Sequence, residues 1–183
     1  MMIRTLRDNL YFFLALVLAL PALSGCRSPE GKQKNVLSTF RLHLEVARSP
    51  GVNSEAVPIY REHPILVNVE KAPFLTEAFI RSAKVIDIVG GFALSVQFDR
   101  QGSWLLEQYT TSNRGHRFAV MSQWTIPPEK KINQGRWLAA PQLGTGITNG
   151  EFTFTPDATR DEAELIALGL NHVAKKAGAA DRW

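Results

Sequence analysis

The side chains that could do chemistry here are four histidines, one cysteine and scattered serines and carboxylates, and their spacing decides which chemistry is open to them. His43, His63, His116 and His172 are far apart, and none sits in a metal-binding pattern such as His-Glu-x-x-His, which puts two imidazoles on one helical face. The alternation around His43 places it on the wet face of a strand, and His172 falls on a helix flank, so both read as surface residues rather than ligands. Asp99, Asp157, Asp161 and Glu162 stand where helix caps need acceptors, and no partner for general acid–base work is visible beside them. No serine outside the Cys26 region has a Gly-x-Ser-x-Gly elbow. The glycines lack the Lys-Ser/Thr ending of a phosphate loop and the strand-to-helix setting of a dinucleotide site. The reading is of no catalytic residue, no metal and no cofactor. A hydrolytic site would need a pocket gathering His116 with a carboxylate; a flat apolar surface there would end that reading.

Cys26 is the single thiol, and its setting is informative. Arg4 and Arg7 precede an apolar run from Leu10 to Leu20, Pro21 breaks the run, and Leu23-Ser24-Gly25 lead to Cys26. Basic residues, a short apolar core and then small residues are the parts of an export signal. A spanning helix needs about 20 apolar residues, more than this interrupted run supplies. An exported domain with one cysteine has no internal disulfide to form. Leu23-Ser24-Gly25-Cys26 resembles the lipobox of bacterial lipoproteins. In that family the cysteine is lipidated and becomes the new first residue. The resemblance implies a diacylglycerol on the sulfur and usually an acyl group such as palmitate on the amine, an anchor that holds stably where one chain would not. An uncleaved membrane anchor and a buried free thiol are the competing readings. Arg27 occupies the position where Asp is associated with inner-membrane retention in many Gram-negative lipoproteins, which leans the reading towards the outer membrane in a host that sorts this way. The implied address is the bacterial cell envelope, with the domain lipid-anchored and facing the periplasm or the exterior.

Of 21 basic and 17 acidic residues, Arg4, Arg7 and Asp8 precede Cys26, so the mature chain carries 19 and 16 and a net charge of +3. The charges are scattered and no basic stripe interleaves with aromatics, which excludes a nucleic-acid footprint. The length fits one domain with a real core. The boundaries expected are a signal peptide over 1–25, a flexible tether over 26–36, one domain over 37–178 and a tail over 179–183.

Within that domain, Phe40, Leu42, Leu44 and Val46 alternate with Arg41, His43 and Glu45 and predict a strand with one wet face. Ile65, Val67 and Val69 predict a second. Pro73 to Ile80 reads as a turn and short helix, Val85 to Val89 as extended, and Phe92 to Phe98 as a strand running into a helix capped by Asp99 and stopped near Asn113 and Gly115. Arg117 to Trp124 is a strand, Ile126 to Gly135 an exposed loop, Trp137 to Ala140 a short strand and Glu151 to Thr155 another. The last helix presents Ala163, Ile166, Ala167, Leu170, Val173, Ala174 and Ala177 on one face. Thr159 and Glu162 form its capping box, and Lys175 and Lys176 meet its negative end. Few helices among many strands give the class α+β: two main helices laid on one face of a mostly antiparallel sheet.

From about Val69 to about His172 the chain resembles the periplasmic first head region, P1, of SecD, a membrane subunit of the bacterial protein-export machine. The similarity lies in Glu70-Lys71-Ala72-Pro73-Phe74-Leu75-Thr76 with Ala83-Lys84-Val85, in Leu94 to Gly102 followed by Thr110 to Val120, and in Ala140-Pro141, Gly146 to Thr153 and Glu162-Ala163. The resemblance implies ferredoxin-like elements and a domain that contacts polypeptide or the export machinery. The family's membrane-spanning bundle has no counterpart after Trp183, so motor activity is not expected to carry over. The stretch from Trp124 to Trp137 is longer and richer in proline than the family's turn.

The remaining candidates are surfaces. Trp104, Trp124 and Trp137 flank the central helix and the long loop as a candidate partner surface, set against ordinary core packing. The sheet edge beside Trp137 to Ala140 is a candidate for strand addition, unless the proline-rich loop protects it. The expected function is a lipid-anchored binding module for polypeptide or a translocase subunit. The alternatives are a structural envelope lipoprotein pairing with one folded partner and, behind it, a cell-wall or lipid hydrolase.

Overall fold

The alternation of Phe40 and Leu42 with Arg41 and His43 becomes strand β1, Ser38–Leu44. The computed structural model describes residues 36–46, 51–127 and 131–178. The leader with Leu23, Ser24, Gly25 and Cys26, the tether through Asn35 and the tail 179–183 lie outside the described residues. After β1 come β2 (Ser54–Ile59), β3 (Ile65–Glu70), β4 (Leu75–Thr76), β5 (Ile80–Ile88) and β6 (Gly91–Phe98). Helix α1 (Arg100–Ser112) follows, then β7 (Phe118–Trp124), β8 (Gln134–Ala139), β9 (Glu151–Phe154) and helix α2 (Arg160–Lys176).

The strands pair antiparallel into a four-stranded sheet β4-β1-β7-β8, a three-stranded sheet β5-β6-β9 and the hairpin β2–β3. The class is α+β, with two helices on mostly antiparallel sheets. The two larger sheets meet across one core. Phe40 of β1 lies 6.2 Å, ring to ring, from both Phe98 of β6 and Phe154 of β9, and α2 adds Ile166, Ala167 and Leu170. A second, smaller core of Val57, Ile59, Val67, Val69, Ala119 and Ala140, with Trp137 against it, lies under the β2–β3 hairpin.

The helix ends are made by local side chains. Asp99 accepts from the Gly102 N–H at 2.8 Å, and the Thr159–Glu162 capping box opens α2. Where α2 crosses the start of β1, Gly169 lets the backbones touch, since a Cβ there would sit 2.2 Å from Ser38 Oγ and 2.7 Å from Ser38 N.

Three departures from the sequence expectations have tertiary causes. β2 has only Val57 and Ile59 facing inwards and contains Pro58, too little alternation to announce a strand; proline is tolerated there because a strand with an unpaired side needs no ladder donor from it. The helix expected over Pro73–Ile80 is the two-residue β4 and a single 3-10 turn, Glu77–Phe79, because Leu75 pairs with Leu42 and Ile80 pairs with Phe98. His43, expected on a wet face, is 5% exposed: the hairpin covers that side of β1, the His43 Nδ1–H donates to the Glu70 carbonyl at 2.8 Å, and Trp137 packs edge-on at 4.9 Å.

Two measurements check these contacts. Gly169→Ala should destabilise the protein by about 2 kcal/mol despite alanine's better helix propensity, because backbone must move; an unchanged melting temperature would show that α2 is not pinned at Ser38. Burial holds the His43 pKa below its ordinary value, against the pull of the Glu70 carbonyl. The unfolded chain therefore takes up this proton near pH 6.5 while the folded chain resists it, so stability falls as pH drops through that value. His43→Asn should remove that contribution, which grows as pH falls below 6.5 with a slope that cannot exceed about 1.4 kcal/mol per pH unit. Identical pH–stability curves for the two proteins would contradict it.

Candidate functional site

Beyond Leu44 the chain of β1 continues as Glu45 and Val46, and backbone bonds hold these two residues between neighbouring strands. The Glu45 N–H donates to the Arg117 carbonyl at 3.0 Å, and the Val46 N–H donates to the Asn68 carbonyl at 2.8 Å. Here β1 joins the base of the β2–β3 hairpin and the end of α1. A cleft of about 410 Å³ opens at this junction, lined by Leu44, Glu45 and Val46, by Asn53, Ser54 and Glu70 of the hairpin base, and by Asn113 and His116 beyond α1. The α1 side is fixed by Asn113, whose N–H and Nδ2 both reach the Tyr109 carbonyl, and by Gly115 at a φ of 85°, a turn that leads into His116.

The cleft brings His116 near two carboxylates, the juxtaposition that a hydrolytic reading requires. Among the described residues no hydrogen bond joins the imidazole to either carboxylate. Glu45 Oε2 is occupied by the Arg117 N–H at 2.7 Å. No group of three or more His, Cys, Asp or Glu side chains among the described residues could hold a metal ion. With Leu44 and Val46 as apolar wall and Glu70 beside them, the arrangement suits an amphipathic occupant with an aliphatic body and a cationic head.

The three tryptophans do not form one surface. Trp124 is fully buried, with the Arg136 guanidinium 5.0 Å above its ring, and is corrected from candidate contact to core. Trp137 is half-buried against His43. Trp104 is 64% exposed on α1, beside a shallow groove of Glu107, Gln108, Thr111 and Ser112 that runs along the helix. The expected edge at Trp137–Ala140 is occupied at its centre, because the Leu138 carbonyl accepts from the Asp157 N–H at 2.7 Å. Asp157 is therefore no helix cap. Its carboxylate accepts from the Arg61 N–H and Nε at 2.9 and 3.1 Å, and its carbonyl accepts from Arg136 Nε at 3.0 Å.

The outer edge of β5 is also covered. The Asn171 side-chain amide takes both the N–H and the C=O of Ala83, each at 2.8 Å, and Arg160 pairs with Asp87. Burial alone would raise the Glu162 pKa, but the Thr159 N–H and Arg136 outweigh it and hold the carboxyl below its ordinary value. His172, half-buried, donates from Nδ1 to the Val36 carbonyl at 2.9 Å and is structural. Sequence reasoning missed Glu45, Glu70 and Asn53 as neighbours. They converge only through the pairing of Glu45 with Val69 and of Ser54 with Glu70, which no local pattern announces.

The comparisons with known proteins agree with this architecture. A family model described as SecDF, P1 head subdomain, matches residues 52–174, about two thirds of the chain. A solved structure described as the membrane component SecDF that enhances protein export is 20% identical with a TM-score of 0.52, covering 84% of this chain and 71% of that one. SecDF in a super-membrane-facing form is 16% identical with a TM-score of 0.45, covering 92% of this chain and 33% of that one. SecDF from Thermus thermophilus, described as translocon-associated, is 16% identical with a TM-score of 0.39, and 34% of its chain is covered. The chain thus spans about a third of the length of the latter two. At these identities the structural likeness shows the fold. Comparison with curated proteins gives no match. Because the family match covers more than half of its length, the chain belongs to the SecDF P1 head subdomain family.

Proposed function

We propose that this protein is a lipid-anchored module of the bacterial cell envelope, held by lipid on Cys26, whose head contacts extended or partly folded polypeptide or a subunit of the export machinery. Membership of the P1 head family supplies the class of process, and the relative described as enhancing protein export points the same way. No helix among the described residues is long and apolar enough to cross a membrane.

The observation that carries the contact is the cleft at the far end of β1. β1 has seven residues. It therefore puts roughly 20 Å between the chain's entry to the domain and the cleft. Its walls are Leu44 and Val46, and its acidic groups Glu45 and Glu70 would receive a lysine or arginine side chain of a passing segment. Strand addition is disfavoured at β8 and β5, because Asp157 and Asn171 already use those edges. At those two edges, recognition would rest on side chains rather than main-chain pairing. The exposed Trp104 on α1 offers a second apolar contact on the helix that leads to the cleft.

A hydrolytic reading has one observation in its favour, the shared position of His116, Glu45 and Glu70. It lacks the bonded acid–base pair that would activate water.

A photoreactive amino acid in place of Asn53, in the full chain in its host, tests the reading. Cross-links to many polypeptides in transit, or to translocase subunits, are expected, and Glu70→Lys should cut their yield severalfold. One stoichiometric folded partner that unfolded competitors do not displace would replace this account with a purely structural role. Recovery of neither would contradict both. Loss of a cell-wall or lipid hydrolysis activity in His116→Ala would assign the cleft to the hydrolytic reading.

A further inference from the structure

The chain enters the domain at Val36, which is 1% exposed and whose carbonyl accepts from His172 Nδ1 at 2.9 Å. One helical turn beyond His172, α2 ends with the exposed Lys175 and Lys176. The next carbonyl, of Leu37, accepts from the Thr125 N–H at 3.0 Å, and the Trp124 carbonyl accepts from the Asn133 N–H at 3.2 Å. Those two bonds bring the exposed Lys131 and the 40%-exposed Ile132 to the same end of the domain. The acids of α2, namely Asp161, Glu162 and Glu164, lie towards the opposite end of the helix. The helix dipole accounts for Lys175 and Lys176 by themselves. It does not account for Lys131, or for an exposed isoleucine beside it.

Val36 lies ten residues on from Cys26. Even fully extended, that length reaches no more than about 35 Å. A lipid on Cys26 would keep this end within that reach of a bilayer, a span longer than the roughly 20 Å of β1, so the tether sets proximity and leaves orientation to the surface. The intervening sequence carries Arg27, Lys32 and Lys34 against Glu30, so it has the same sign as the surface it enters. Basic side chains near an anionic leaflet are attracted within a Debye length, about 10 Å at 0.1 M salt. A few lysines bind weakly alone, but a tether supplies the proximity, so they set an orientation.

We propose that this end is the bilayer-facing surface of the domain, with Lys131, Lys175 and Lys176 resting on anionic phospholipid headgroups and the cleft turned away from the membrane. The inference rests on the anchored reading above. Its test is independent of whether the host lipidates the chain, because Cys26 is the only cysteine and its thiol can be coupled chemically to a lipid.

The chain from Cys26 onwards is coupled through that thiol to maleimide-lipid in vesicles of phosphatidylcholine, with or without phosphatidylglycerol. Lysine acetylation is then followed residue by residue by mass spectrometry. On anionic vesicles, Lys131, Lys175 and Lys176 should label at least about threefold more slowly than on neutral ones, and the protection should vanish in high salt. Lys71, exposed at the hairpin base by the cleft, should label equally on both. A Lys175→Glu/Lys176→Glu variant with an unchanged melting temperature should lose the protection of Lys131. Equal labelling on the two vesicles, protection spread evenly over Lys71 as well, or Lys131 protection that survives in the double variant would overturn the proposal. Failure of native lipidation would instead appear as an unmodified Cys26 in protein from the host, with the vesicle result intact.

Discussion

The burial of β1, along one face through Phe40 and Leu42 and on the other at His43, is the constraint from which the rest of the domain follows. Phe40 and Leu42 point into the larger core, and His43 points into the smaller one under the hairpin. β4 and β7 take its two sides, α2 closes over its start through Gly169, and β3 receives its continuation through Val46. That second face stays wet at Arg41, but at His43 the hairpin and Trp137 close over it. Burial accordingly lowers the His43 pKa, and a backbone carbonyl satisfies the ring.

Two of the strand edges left by this arrangement are closed by side chains or loops. Antiparallel sheets expose edges, and exposed edges are hazards that folds usually cover. Here Asp157 covers β8 and Asn171 covers β5, each by bonding directly to a strand carbonyl. Arg61 and Arg136 hold Asp157 in place, so the hairpin tip, β8 and the entry to α2 are tied together around one carboxylate and its backbone. The cleft beyond β1 is a concave surface, among the described residues, where an apolar wall meets carboxylates.

What could be read from the sequence was what local chemistry determines. The Thr159–Glu162 box and the Asp99 cap fix the starts of both helices within a few residues, and each is present as expected. The alternation in β1 was equally plain, because Phe40 and Leu42 share the larger core, and Phe92 to Phe98 read as the strand that β6 is. The P1 head resemblance was visible in the order of short blocks, and the family match extends it back to residue 52. What stayed hidden depended on distant partners. Pro58 masked β2 because its strand exists only against β3. Trp124 read as a surface candidate since nothing nearby in sequence shows that it enters the core under Arg136. The cleft was illegible for the same reason, since its lining comes from three segments joined by pairing alone.

Both the proposed role and the proposed orientation rest on attachment through Cys26. The most direct measurement is the intact mass of the protein extracted from its native host, with fragmentation at the amino terminus. The account predicts a chain that begins at Cys26 and carries a diacylglyceryl group on sulfur. A chain retaining residues 1–25 with a free thiol would contradict it.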